Sequence, residues 1–565
     1  MNFLLLLAAL LQSPSPASPP ETILHNARVF TADSTRPWAE AFAVNDGRVV
    51  AVGASADLLK LAGPQTRVID LQGAFVSPGF GDSHLHFMSG SLTLNAVTLD
   101  GLTTLKEIQS RIATYARANP GSSWVTGRGW NYAAFPGNLP QRQWLDEVVP
   151  DRPAFMQGYD GHTGWANTKA LELAGIGRDT QDPPNGVIVR DALGHATGAL
   201  KEAAQGLVRR LVPRPTDDEK YRALKAGLEL AASYGLTFAH NAGFDLADLP
   251  VYERVMKEGG LKVRFYNALP FRADPDAATL AQYKDLRARY AGPLFRFGAI
   301  KALEDGVVES KTAWMLEPYA GGGGTGIPNY TAAELSRGVA TFDREGFQIF
   351  IHAIGDRAIR TTLDAFENAA RINGSSGRRH RVEHIEAPQM AEIARFKPLG
   401  VIASTQALFA NPDENTLGAY AGALGPERAA RAMAFKALDD AGAVQAFGSD
   451  WPVFSMEVLK GIYCAVARET PEGTPAGGWQ PQSRISAEAA LRHFTADGAY
   501  AGFAEKDFGR IAPGLLADFV VLSRDITKGA PIEILSTRVL LTVVGGKETY
   551  RARDFTGGAS QAPPR

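Results

Sequence analysis

Pro78-Gly79-Phe80-Gly81-Asp82-Ser83-His84-Leu85-His86 is the stretch whose reading decides the fold. In a strand, side chains two apart project from one face, so Asp82, His84 and His86 would share a side and Phe80 would anchor the entry. Two imidazoles converging from the end of a buried strand suit zinc or a similar ion. A nearby carboxylate can orient such a ligand through its other ring nitrogen, and Asp82 is expected to play that part. A single HxH triplet is weak evidence by itself, so its meaning depends on whether the rest of the chain supplies more ligands.

Outward from this stretch, residues 22–76 read as short strands and turns (23–31, 41–44, 48–52 and 67–70), with Asn45-Asp46-Gly47 as a hairpin turn. The same texture returns near the end, where 517–522 and 539–547 are apolar runs, the second closed by glycines. Two β-rich ends around a long middle predict one small β-sandwich domain assembled from both termini, residues 21–78 and 505–556.

The middle alternates. Strand-like runs at 236–239, 263–268, 295–302, 347–352, 381–384, 401–404 and 444–447 are separated mostly by helix-like segments such as 217–233, 331–345 and 356–371. Asp217, Thr331 and Asp356 are expected to cap those three helices. With the opening strand the count is eight, which predicts an α/β fold of the (β/α)8 TIM-like barrel type over residues 79–504, with its active site at the strand C-termini. About 95–205 does not fit the repeat and is expected to be a subdomain inserted after strand 1, over the barrel mouth. The glycine-rich stretch 320–326 is expected to be a mobile loop.

With 58 basic and 60 acidic residues the chain has no charge excess that would mark it as a nucleic-acid binder, so a small molecule is the expected ligand. The apolar run 3–11, followed by a Ser/Pro/Ala segment, resembles a secretory leader (residues 1–20) cut after Ala17, which predicts a periplasmic or secreted protein. That run is too short to span a bilayer, so no membrane span is expected in the mature chain. Cys464 is the only cysteine, which excludes an intramolecular disulfide. A disordered tail is expected at 557–565, and the oligomeric state stays open, a homo-oligomer included.

Four of the ten histidines, His84, His86, His352 and His384, stand at the ends of predicted barrel strands. Lys301 and Asp450 end two further strands. An ammonium there would be repelled by dications unless neutralised or modified. A carboxylate beside metal-bound water can both ligate and take a proton.

In this order, HxH, Lys, His, His, Asp, the chain resembles the binuclear metal-dependent amidohydrolase superfamily. The words 79–86, 351–358, Arg381-Val382-Glu383-His384 and 448–452, with 127–130, 160–167 and 511–518, are similar to its branch that includes N-substituted formamide deformylases (amidohydrolase family 3). The resemblance covers nearly everything after the leader. It implies that His84 and His86 hold one metal and His352 and His384 the other. Lys301, carboxylated on its nitrogen, would bridge both, and Asp450 would bind the first metal and act as general base. The implied cofactors are two divalent ions, zinc or similar, and the implied activity is hydrolysis of a C–N bond in an amide, formamide, N-acyl amine or cyclic amide. The alternatives are a lactonase or other esterase on the same site, or a non-catalytic solute-binding protein. His162, His240, Trp130, Asn167 and Glu202 are candidates to line the substrate pocket.

Overall fold

The computed structural model describes residues 18–94, 96–374 and 377–557. The expected leader up to Ala17 and the tail from 558 lie outside the described residues. Among the described residues no helix is long and apolar enough to cross a membrane.

Eight parallel strands form one sheet: β1 (Phe80–Leu85), β2 (Leu236–Asn241), β3 (Arg264–Pro270), β4 (Phe295–Leu303), β5 (Gln348–Ala353), β6 (Arg381–His384), β7 (Ile402–Gln406) and β8 (Val444–Gly448). Neighbours in sequence are neighbours in the sheet, the order that βα units impose when each helix packs back on the outside. Just past β8, the Asp450 N–H donates to the His84 carbonyl (2.6 Å) and the Ser449 N–H to the Asp82 carboxylate (3.0 Å), which joins the last strand to the first. Inside, a Cβ on Gly81 would lie 1.9 Å from the Phe238 ring, so the bulk of β2 fits only because β1 carries glycine there.

Two of the expected helix caps move by one residue. The helix Asp217–Ser233 is capped by Thr216, whose hydroxyl and Glu219 form a reciprocal capping box, so Asp217 is the first helical residue. Asp356–Asn373 is capped by Gly355. Asp356 instead accepts from the Leu316 N–H (2.7 Å) and from Gln389 Nε2 (2.6 Å), tying two loops together. Thr331 does cap Ala332–Arg344, again as a capping box.

The β-rich ends build two sheets. The first, of four strands, is Thr22–His25, Ala41–Asn45, Arg48–Gly53 and Arg67–Asp70. The second mixes Arg28–Phe30, Trp38–Ala39 and Phe75–Pro78 with Phe519–Leu522, Val539–Val544 and Lys547–Arg551. In the hairpin turn Asp46 (φ 46°) and Gly47 (φ 67°) both adopt positive φ, the geometry a two-residue turn needs to match strand twist. Gly47 is further fixed because a Cβ would lie 2.6 Å from the Gly545 carbonyl of the C-terminal half. Phe75–Pro78 pairs antiparallel with Phe519–Leu522 and runs directly into β1. Asp518 then docks this unit on the barrel through a bidentate buried pair with Arg264 of β3 (2.6 and 2.9 Å).

Residues after β1 form a separate six-stranded sheet running from Val97–Thr98 to Ala196–Glu202, with its own core around Trp130 and Trp165. The 320–326 stretch is tied down: Met315 donates to Thr325 (2.7 Å), Ala320 to Ala423 (3.0 Å) and Lys311 Nζ to Gly322 (2.9 Å). Gly321 to Gly324 all adopt positive φ (71°, 88°, 115° and 75°), and at Gly326 a Cβ would lie 2.0 Å from the Ala313 carbonyl.

Behind β8, His493 packs on Phe447 and is held between Asp497 (2.7 Å) and Asp439 (3.2 Å). Burial opposes its charge, but the two carboxylates win and raise it from 6.5 to about 9. A raised pKa means the folded state binds the proton more tightly, so this clasp contributes fully below pH 6.5 and is lost as pH rises through about 9. The wild-type melting temperature is therefore expected to fall over that window relative to His493→Gln. Parallel pH dependences of the two proteins would refute this.

Candidate metal centre

Each ligand candidate sits where a strand ends. His84 lies within β1, while His86 follows it and begins the helix Phe87–Thr93. Lys301 is on β4, His352 on β5 and His384 closes β6. Asp450 lies two residues past β8. Strict alternation along β6 would send His384 to the face opposite Glu383. Its φ of 76° breaks the alternation, and its ring ends 4.8 Å from His84 and 4.4 Å from His352. Asp450 is likewise left-handed (φ 57°). Non-glycine residues held in that region are strained and cluster at functional sites.

Ligand-capable atoms of His84, His384 and Asp450 all lie within 4.8 Å of one another. Asp450 Oδ1 is 3.4 Å from His84 Nε2 and 3.2 Å from His86 Nε2. Lys301 Nζ is 3.2 Å from His84 Nε2. His352 stands beside His384 and turns Nε2 to the Gly306 carbonyl (3.1 Å), which leaves Nδ1 as the nitrogen free to ligate. His384 donates Nδ1–H to Gln406 Oε1 (2.8 Å), which leaves Nε2.

These residues fit a divalent cation. Asp450 Oδ1 is buried and makes no hydrogen bond among the described residues, which leaves its lone pairs open to a cation. Burial would raise the Asp450 carboxyl, yet the His84 and His86 rings and the Lys301 amine hold it at about 2, so it is ionised. Burial lowers His84 to about 4, reinforced by Lys301. Burial also holds His352 and His384 well below the usual histidine range. Neutral imidazole is the form that ligates a metal. Burial depresses Lys301 to about 8.

Beneath the ligands lies a polar network that sequence reasoning missed. His84 Nδ1–H donates to Glu383 (2.5 Å), and Arg381 grips the same carboxylate through Nε (2.8 Å) and Nη2 (3.0 Å). Both residues are fully buried. Arg381 also reaches Ser404 of β7 (2.7 Å) and His240 Nδ1 of β2 (2.8 Å). Glu383, then, orients His84. The expectation for Asp82 is corrected: its carboxylate accepts from Ser449 Oγ (2.5 Å) and from the Ser449 and His84 N–H groups, and so clasps β1 to the turn after β8. The signal was available in Arg381-Val382-Glu383, since opposite charges two apart on a buried strand face must pair.

Above the ligands lies a pocket shared by the barrel loops and the insertion. His162 lines it, its ring 5.3 Å from His352, with Nδ1 held by Glu202 (2.8 Å), which also accepts from Thr312 (2.6 Å). Burial works against a charged His162, but Glu202 overrides it and raises the ring to about 10. The other candidates stand elsewhere. His240 lies a layer deeper, between Phe238 and Tyr266; Trp130 is fully buried in the insertion core, and Asn167 caps the helix Thr168–Leu173. Asp160, which opens the 160–167 word, also lines the pocket, as do Glu309 and Glu386, which no motif announced.

The Amidohydrolase family pattern matches residues 67–550. The chain is 33% identical over 549 residues to Protein LONG AFTER FAR-RED 3 of Arabidopsis thaliana, covering 94% of this chain and 91% of that protein. It is 29% identical over 555 residues to an N-substituted formamide deformylase of Arthrobacter pascens, covering 94% and 98%. In fold it is similar to a crystal structure of an uncharacterised metal-dependent hydrolase from Pyrococcus horikoshii (TM-score 0.70, 23% identity, 94% of this chain and 100% of that one). With a match over most of its length and ligand-type residues gathered at the strand ends, the chain belongs to the amidohydrolase family and is a metal-dependent hydrolase.

Proposed function

We propose that the enzyme hydrolyses a C–N bond of an amide, formamide, N-acyl amine or cyclic amide, using two divalent ions, zinc or a similar metal. The observation that carries this function is the buried Asp450 Oδ1, without a hydrogen bond and facing the Nε2 atoms of His84 and His86. His84, His86 and Asp450 would hold one ion and His352 and His384 the other, with Lys301 between them. When bound, the ions supply a polarised substrate carbonyl and water acidified to a pKa near ~7.

The chain's own residues do the rest. Asp450, ionised and at the mouth, accepts the proton of the attacking water and returns it to the departing nitrogen. His162, fixed by Glu202, turns Nε2–H to the pocket, where it donates to oxygen of the substrate or of the tetrahedral intermediate. Lys301 is depressed to about 8, so free amine is available near neutral pH; addition of CO2 with loss of a proton would turn it into an anionic group able to help hold the ions.

Chelation is expected to abolish turnover, and activity is expected to return with about two equivalents of zinc per chain. Full activity at one equivalent, with Lys301 unmodified by mass spectrometry, would move the site to a mononuclear centre. A screen across formamides, N-acyl amines, cyclic amides and lactones tests the bond. Turnover of lactones alone would make the enzyme a lactonase instead.

A further inference from the structure

The hydrolase function leaves several charged groups in the pocket without a task. Glu386 is 4% exposed and lines the cavity, yet among the described residues no hydrogen bond or ion pair reaches its carboxylate. Glu309 stands in the same wall, and its partners are neutral: the Tyr159 hydroxyl and Asn415 Nδ2 (3.4 Å). Among the described residues no Lys or Arg lines the cavity. The charge of His162 is committed to Glu202, and Asp450 to the ligand cluster. Among the described residues neither acid has a salt-bridge partner, and the cationic His162 in the same lining is paired with Glu202.

The same wall is aromatic. Tyr159, Tyr420, Phe409 and Phe454 line the cavity beside the two acids. Ring faces attract alkylammonium groups, and carboxylates complete the match. Asn415 and Tyr420 come from a π-helical turn, Asn415–Tyr420, a distortion that often marks a binding site. A substrate bearing its own carboxylate would meet two acids with no Lys or Arg in the lining to offset them, His162 being already paired with Glu202.

We propose that this pocket selects substrates carrying an alkylammonium group, which Glu386 and Glu309 receive within the aromatic wall. This inference rests on the hydrolase function proposed above and names the class of substrate that the same site prefers. The arm between the scissile carbonyl and the ammonium is expected to be short and apolar, since Val307, Ile354 and Val453 also line the cavity.

The experiment uses the zinc-loaded enzyme and two near-isosteric formamides, N-formyl-1,4-diaminobutane and N-pentylformamide. The ammonium substrate is expected to have a kcat/KM about tenfold or more above its neutral isostere. In Glu386→Gln, and further in the double variant with Glu309→Gln, that ratio is expected to collapse toward one. Equal rates for the two substrates in the wild type, or a ratio that survives in the double variant, would overturn the proposal.

A second readout needs no turnover. Choline has no nitrogen lone pair to offer a metal, and 3,3-dimethylbutanol is its neutral isostere. Choline is expected to raise the melting temperature of the zinc-loaded wild type more than the alcohol does, and to lose that advantage in Glu386→Gln. If neither formamide is hydrolysed, the proposed bond specificity fails while the choline comparison still decides this proposal. Equal shifts for the two probes would then refute the cation site by itself, and would leave the two acids as counter-charge to the metals.

Discussion

Asp450→Asn is expected to lower kcat/KM by about 10,000-fold on whatever amide the enzyme turns over, while leaving metal content close to that of the wild type. The amide keeps an oxygen able to ligate, so the ligand geometry at the end of β8 survives. What it removes is the acceptor for the proton of the attacking water. Asp450 is suited to that task because the His84 and His86 rings and the Lys301 amine outweigh burial and keep it ionised. No second carboxylate joins His84 and His384 in the ligand-capable group among the described residues. Metal analysis and steady-state kinetics on the same preparation check the result. Wild-type rates in the variant would remove Asp450 as the base, and a parallel loss of metal would recast it as chiefly a ligand.

The second large effect is expected from a residue that touches no substrate. Glu383→Gln leaves the buried Arg381 guanidinium without its counter-charge and gives His84 Nδ1 a neutral amide in place of a carboxylate. Stranding one member of a buried ion pair costs about 3–5 kcal/mol. Loss of the partner that orients a ligating imidazole costs about 10–100-fold in metal affinity. A lowered melting temperature and weaker zinc retention against a competing chelator are therefore expected together. The ordinary surface pairs of this protein, such as Lys436–Asp440, would show neither change. A Glu383→Gln protein with unchanged stability and zinc affinity would mean that Arg381 and His84 are held by other contacts.

Much of the barrel was legible because each of its strands is an apolar run closed by a turn, with helical periodicity between. Ligand candidates stood out for the same reason: polar side chains at the ends of apolar strands have few structural uses. What the sequence concealed is how buried charge is paired across strands. Asp82 and His84 are two apart and share a face, so the carboxylate looked like the partner of the imidazole. In space the nearest acceptor for His84 comes from β6, 299 residues away, and Asp82 is drawn to Ser449. The helix caps slipped by one residue because an acid in the first turn and a cap look alike without the reciprocal hydrogen bond of Thr216 and Glu219. Glu309 and Glu386 were invisible because a lone Glu in a loop carries no pattern, and only burial without a partner gives it meaning.

The pairing of Phe75–Pro78 with Phe519–Leu522 has a consequence for how the molecule is made. Synthesis proceeds from the N-terminus, so the strand that leads into His84 emerges early and its sheet neighbour almost last. Until then the edge of Phe75–Pro78 has no partner from the C-terminal half, β1 lacks the clasp from Ser449, and Arg264 lacks Asp518. Completion of this sheet therefore has to wait for the C-terminal half, and until then one edge of Phe75–Pro78 is open.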